Sequence, residues 1–191
     1  VLMHPIVSGI RLNTVMPVKD SLEELLKRLG ETAAKHRKEL WVDLKARQLR
    51  VVTYGVPPFT EIELGHKITV DTGATAYFSD GTESATVAAV NGNKLIMLEG
   101  PKRVVGPGEG VNIPHHSLQI EGNLTDTDKK YIEAAVKTGL HSYMLSFVES
   151  QNDVEELKKL DSAAKVVAKI ESRKGLEYVA NDWKGEARLM A

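Results

Sequence analysis

The spacing of apolar positions changes character twice along this chain. Residues 6–13 alternate loosely enough to read as a short strand that carries Arg11 and Asn13 on one face, with Pro17 as its break. Leu22, Leu25, Leu26, Leu29 and Ala33 then recur at helical spacing, behind a capping box of Asp20 and Glu23. That helix is expected to reach about Lys38, with Gly30 as a weak point. Residues 40–44 form the next strand, with Asp43 near its C-terminal end. Strand, helix and strand within this length make a βαβ unit, hence a parallel pair. From about Ala46 to Pro114 the helical period vanishes. Short β-rich runs at 68–70, 74–78, 85–90 and 94–98 alternate with turn signals such as Ser79-Asp80-Gly81 and Asn91-Gly92-Asn93. A small β-barrel or sandwich is the expectation there. After Pro114 the α/β rhythm resumes. A helix follows the capping box Thr125–Asp128, a strand covers 141–148, and a helix capped by Ser150 and Asp153 leads to a strand at 166–171. A helix around Leu176, Val179, Ala180 and Trp183 precedes a last strand at 187–190.

The domains expected are therefore 1–45, an insert at 46–114, and 115–191. About five parallel strands interrupted by a β-insert suit either a doubly wound sheet or part of a (β/α)8 barrel, whose usual size is ~250 residues. Both architectures place chemistry at strand C-termini. The candidate that follows is the pair Lys169 and Glu171. Period-2 alternation puts both on one face where a buried strand ends. A cation beside a carboxylate in that position suits metal-assisted chemistry on an anionic substrate, although a surface ion pair has the same spacing. Adjacent His115 and His116 would point to opposite faces of a strand, which argues against a metal site.

Composition narrows the classes. With 25 basic and 26 acidic residues the net charge is -1, and nothing favours nucleic acid or an anionic membrane as partner. There is no cysteine, so disulfides and thiolate metal sites are excluded and a cytoplasmic location fits. No apolar run approaches the ~20 residues of a spanning helix.

Several short motifs, in order, resemble the pyruvate kinase family. They are Arg11-Leu12-Asn13, the strand Trp41-Val42-Asp43-Leu44-Lys45, Ser79-Asp80-Gly81, Gly110-Val111-Asn112-Ile113-Pro114, Leu124-Thr125-Asp126-Thr127-Asp128-Lys129, Ser146-Phe147-Val148 and Lys169-Ile170-Glu171 with Gly175 behind it. The resemblance implies part of a (β/α)8 TIM-type barrel with an inserted β-barrel lid. It implies glycolytic phosphoryl transfer from phosphoenolpyruvate to ADP, giving pyruvate and ATP. Lys169 would face the transferring phosphoryl group and the enolate oxygen, and Arg11 would stabilise the phosphate. Glu171 would hold Mg2+ or Mn2+, and Asn13 and Asp43 a potassium ion. Asp80 and Lys45 would contact substrate or nucleotide. A cytoplasmic homo-oligomer is implied as well.

The chain departs from the family pattern at Val15, where a serine hydroxyl is usual, so potassium dependence is expected to be weak or absent. Leu44, Ala46-Arg47-Gln48, Glu149 and Gly108-Glu109 also depart, the last where a lysine pair is usual. The chain starts at Val1 rather than methionine and stops before the family's Arg-Gly-Asp-Leu motif; the expectation is an N-terminal part, inactive by itself. Two other readings stay open: a catalytically diverged relative that binds a phosphoenolpyruvate-like ligand as sensor or partner, and a lyase or aldolase on a related barrel.

Overall fold

The computed structural model describes residues 2–16, 18–185 and 187–191, and of Asp80 the backbone alone. In chain order the elements begin with β1 (Gly9–Asn13), α1 (Leu22–Lys35) and β2 (Glu39–Leu44). A β-rich stretch holds β3 (Glu61–Glu63), β4 (Ile68–Thr69), β5 (Thr75–Phe78), β6 (Glu83–Asn91), β7 (Lys94–Met97), β8 (Val111–Asn112) and β9 (Gln119–Ile120). Then come α2 (Asp126–Lys137), β10 (Ser142–Leu145), α3 (Gln151–Leu160), β11 (Lys165–Lys169), α4 (Arg173–Asn181) and β12 (Arg188–Met190).

Two compact units result. The first, Val1–Ala46 with Leu124–Ala191, is α/β. Its five strands run in the order β1-β2-β10-β11-β12, every neighbouring pair parallel. The sheet's centre is buried on both faces, as a parallel sheet covered by helices requires: all four residues of β10 are buried. The helices cover the sheet with the stripes that their spacing predicts, Leu26 and Ala33 from α1, Ile132 and Ala135 from α2, Val154 and Leu157 from α3. Leu26 is wholly buried, and its burial is worth about 1.5–3 kcal/mol.

Several element ends differ from the sequence expectation: β1 starts at Gly9 rather than at residue 6, and α1 ends at Lys35 rather than near Lys38. The cap of α1 is Ser21 with Glu24, not Asp20 with Glu23. The Ser21 hydroxyl accepts from Glu24 N at 3.2 Å, and Asp20 pairs instead with Arg28 at 3.0 Å. The strand expected over 141–148 stops at Leu145 because Phe147 turns to φ 50°. The Lys169/Glu171 strand ends at Lys169. Pro17, the expected break, lies outside the described residues; β1 ends at Asn13.

The second unit, Arg47–Asn123, has its own core around Phe78, Ile62, Leu64, Leu95 and Met97. Its antiparallel sheet has the order β3-β7-β6-β5-β8. Alternation along β5 and β7 buries Ala76, Phe78, Leu95 and Met97 on one side. The β6–β7 hairpin closes between Asn91 and Lys94, with Gly92 at φ 62°, a conformation glycine adopts without a Cβ penalty. The unit extends past the Pro114 boundary expected from sequence, because β9 pairs antiparallel with β4 (Ile68 opposite Ile120, Thr69 opposite Gln119). A two-residue ribbon of this kind has no periodicity to read. No helix among the described residues is long and apolar enough to cross a membrane.

Candidate functional site

Parallel register brings the C-terminal ends of β1, β2 and β11 to the same edge of the sheet, and Asp43 is the hub of what gathers there. Asn13 stands opposite Asp43 across β1–β2, and Met144 of β10 stands opposite Asp43 on the other side. The Asp43 side chain is fully buried. Its Oδ2 lies 3.1 Å from Arg11 Nε and 3.0 Å from Lys45 Nζ; its Oδ1 lies 3.1 Å from Lys169 Nζ, past the end of β10. Lys169 Nζ is also 3.5 Å from Glu171 Oε1. Oδ1 accepts no well-directed hydrogen bond, so Lys169 balances its charge through proximity.

Exposure sorts the group into an inner and an outer layer. The Lys169 and Lys45 side chains are 10% and 11% exposed, whereas Arg11 and Glu171 are 56% and 35% exposed. One buried carboxylate thus holds two cations inside, while a third cation and a second carboxylate face water. Arg11 and Glu171 are the members of the group open to solvent.

The strand ends are held by contacts that sequence spacing does not announce. Thr14 Oγ1 donates to Asp43 O at 2.8 Å, and Ser146 Oγ donates to Leu44 O at 2.7 Å. The buried Asp128 carboxylate accepts from Lys45 N at 2.9 Å and Ala46 N at 3.0 Å. Asp128 is also the N3 residue of the capping box with Thr125 at the start of α2, so it ties that helix to the exit of β2. Ala46 sits at φ 45°, a left-handed conformation that costs on the order of 1–3 kcal/mol at a non-glycine residue and persists where surrounding bonds over-determine it. Phe147, at φ 50°, donates its N–H to Glu171 Oε2 at 3.1 Å, leaving Oε1 toward Lys169 and solvent. The next residue, Val148, donates its N–H to Lys169 O at 3.1 Å, and a Cβ at Gly175 would lie 2.7 Å from Val148 O. Glycine at 175 therefore lets α4 approach the loop that positions Glu171.

Asn13, the remaining sequence candidate at this edge, uses its Oδ1 to accept from Val15 N at 3.3 Å. The Asp80 side chain lies outside the described residues. In the second unit, Arg103 pairs with Glu109 and with Glu83, while Ser79 Oγ donates to Glu109 Oε1 at 2.6 Å. The Arg103 guanidinium holds the Glu109 carboxyl below the usual carboxylate range. Of the residues just described, Thr14, Ser146 and Phe147 N were not singled out from the sequence as site residues. Asp128 was visible only as a cap.

The residues fit a divalent ion better than a monovalent one. Glu171 presents one carboxylate oxygen at a partly open position, and magnesium typically uses one or two carboxylates together with substrate oxygens. A potassium ion on Asn13 and Asp43 does not fit. A cation at Asp43 would meet Arg11, Lys45 and Lys169, which already surround its carboxylate.

Comparison with known proteins agrees with the α/β architecture. A family model described as the pyruvate kinase barrel domain matches residues 59–190. Among curated proteins, the pyruvate kinase of Thermoplasma acidophilum is 24% identical over 144 residues, covering 73% of this chain and 24% of that protein. That of Methanocaldococcus jannaschii is 31% identical over 124 residues, covering 62% and 27%. That of Thermotoga maritima is 26% identical over 200 residues, covering 90% and 42%. Among solved structures, Cryptosporidium parvum pyruvate kinase in complex with ADP shares the fold at a TM-score of 0.66 and 19% identity, over 91% of this chain and 42% of that one. The chain spans about a quarter of the length of the first two relatives.

Proposed function

The chain belongs to the pyruvate kinase family, and from that premise we propose that it carries part of a phosphotransferase site acting between phosphoenolpyruvate and ADP. The observation that carries this reading is the convergence of Lys169, Arg11 and Glu171 on the buried Asp43 at the C-terminal edge of a parallel sheet. The monotonic strand order β1-β2-β10-β11-β12, without a reversal, supports a sheet that winds in one direction as in a (β/α)8 barrel; a doubly wound sheet reverses.

Phosphoryl transfer needs positioning and neutralisation of charge around an in-line path more than it needs covalent chemistry. In the proposed reaction an ADP terminal oxygen forms a bond to phosphorus, the bond from phosphorus to the enol oxygen breaks, and the released enolate takes up a proton to give pyruvate. Lys169 stands where its ammonium stabilises the transferring group and the enolate oxygen; Arg11, turned outward, takes the phosphate. Asp43 spaces these cations and keeps them from repelling one another out of the site. A Mg2+ or Mn2+ ion held by Glu171 would supply further neutralisation of phosphate oxygens. Lys45 and Asp80 are assigned to substrate or nucleotide on the family resemblance. ATP formation from phosphoenolpyruvate and ADP, assayed with magnesium on the intact gene product, tests the reading. Binding of phosphoenolpyruvate without ATP formation contradicts the transferase and supports the second reading, a diverged binding protein. That alternative is favoured by one observation: Glu109 stands, paired to Arg103, where the family has lysines near the nucleotide.

Potassium should matter little, given the cations already around Asp43 and the missing hydroxyl at Val15. Activity in potassium and in lithium is expected to agree within about two-fold, because an underligated monovalent ion competes poorly with its own hydration. Strong activation by potassium over lithium contradicts this account of the site.

A further inference from the structure

The expectation that His115 and His116 point apart is overturned by the structure. They lie in the turn between β8 and β9 rather than within a strand, and their ring centroids are 4.4 Å apart with a 37° tilt. The β4–β9 ribbon carries Asp71 to the same place. Its register ends at Thr69 opposite Gln119, and two residues further Asp71 N donates to Ser117 Oγ at 2.9 Å. One potential ligand atom from each of Asp71, His115 and His116 then lies within 4.8 Å of the others.

We propose that Asp71, His115 and His116 form a binding site for a borderline divalent metal ion of the zinc class. The site lies wholly in the β-rich unit and stands apart from the reading of Lys169 and Glu171. Two imidazoles and one carboxylate are a donor set that suits zinc and its neighbours, whereas magnesium takes oxygen ligands. Ligand atoms on one tetrahedral ion at ~2.0–2.2 Å are about 3.4 Å apart, so closing the cluster takes roughly 1 Å of side-chain rotation. Asp71 and His116 are exposed and free of core packing, and His115 is half-buried. Ser117 supplies the orienting contact. Its Oγ lies 2.8 Å and its backbone N–H 3.4 Å from His115 Nδ1, so Ser117 occupies that nitrogen and Nε2 is the one left to a metal, the ring proton shifting to Nδ1 and donating to Oγ when the ion binds. The Ser117 oxygen has two lone pairs, one for His115 and one for the Asp71 N–H. Three protein ligands leave the remaining position to water or to a further ligand.

The test is a zinc titration of the 191-residue chain in competition with a chromophoric chelator, repeated for His116→Ala, Asp71→Asn and, as control, His36→Ala. The parent is expected to take up one zinc equivalent that excess magnesium does not displace. His116→Ala and Asp71→Asn should each weaken that uptake by at least about ten-fold, while His36→Ala leaves it unchanged. Ring-nitrogen NMR should show zinc shifting the signals of His115 and His116 and sparing those of His66 and His141. Circular dichroism checks that each variant retains the parent fold; both substituted side chains are exposed, and the two variants act independently. Absence of zinc uptake by the parent, equal uptake by parent and both cluster variants, or a loss in His36→Ala as large as in His116→Ala overturns the proposal.

Discussion

Replacing Asp43 by asparagine is expected to destabilise the α/β unit by about 3–5 kcal/mol, the cost of removing the carboxylate from a buried cluster of three cations. The substitution keeps the volume and removes the negative charge that faces Arg11 Nε, Lys45 Nζ and Lys169 Nζ at 3.0–3.1 Å. Arg11 can turn to water. Lys45 and Lys169, at 11% and 10% side-chain exposure, cannot do so without opening the ends of β2 and β11. Since a domain's whole stability is about 5–15 kcal/mol, the loss is a large fraction of it. Urea unfolding followed by circular dichroism should show a lower midpoint at unchanged slope. A change below about 1 kcal/mol would mean that the three cations are screened by water and that Asp43 is not the hub described here.

Lys169→Met is expected to have the opposite profile. Asp43 keeps two of its three cations in this variant, and methionine fills the space of the lysine stem, so the unfolding midpoint should move little. ATP formation from phosphoenolpyruvate and ADP by the intact gene product should fall by about 10²–10³-fold, the loss typical when one preorganised charge-stabilising group is removed, equivalent to about 2.7–4 kcal/mol in the barrier. A rate equal to the parent's removes Lys169 from the mechanism. A large fall in stability alongside the rate assigns it to the fold instead. The contrast between the two variants separates the buried carboxylate, which organises the cations, from the cation that meets substrate.

The alternation of strand and helix was legible because each element's apolar spacing is local: the α1 stripe through Leu26 and Ala33 and the Thr125–Asp128 capping box both lie within a few residues, whereas Glu171 lies beyond the end of β11 and is held by Phe147 N rather than by strand alternation. What sequence spacing could not supply was convergence. Lys45 reaches Asp43 from two residues away, but Arg11 and Lys169 meet it through the register of parallel strands, and no local pattern encodes that register. The clamp from Asp128 to the backbone of Lys45 and Ala46 spans 83 and 82 residues and is invisible for the same reason. Phe147 N, which orients Glu171, is a backbone donor exposed by a left-handed turn at an aromatic residue, and no composition cue marks it. His115 and His116 misled in the other direction. The alternation rule holds inside strands, and these two residues lie in the turn between β8 and β9.

If Glu171 and Lys169 together form a metal-assisted site for an anionic phosphate ester, binding of that ester depends on the metal. That dependence is tested most directly by calorimetric titration of phosphoenolpyruvate into the intact gene product across a series of magnesium concentrations, in the parent and in Glu171→Gln. The glutamine retains an oxygen able to accept from Phe147 N but is a poor ligand for a hard cation. Binding in the parent is expected to require magnesium, and the variant to need at least about ten-fold more of it. Magnesium-independent binding, or an identical magnesium requirement in parent and Glu171→Gln, would contradict a metal-assisted site at Glu171.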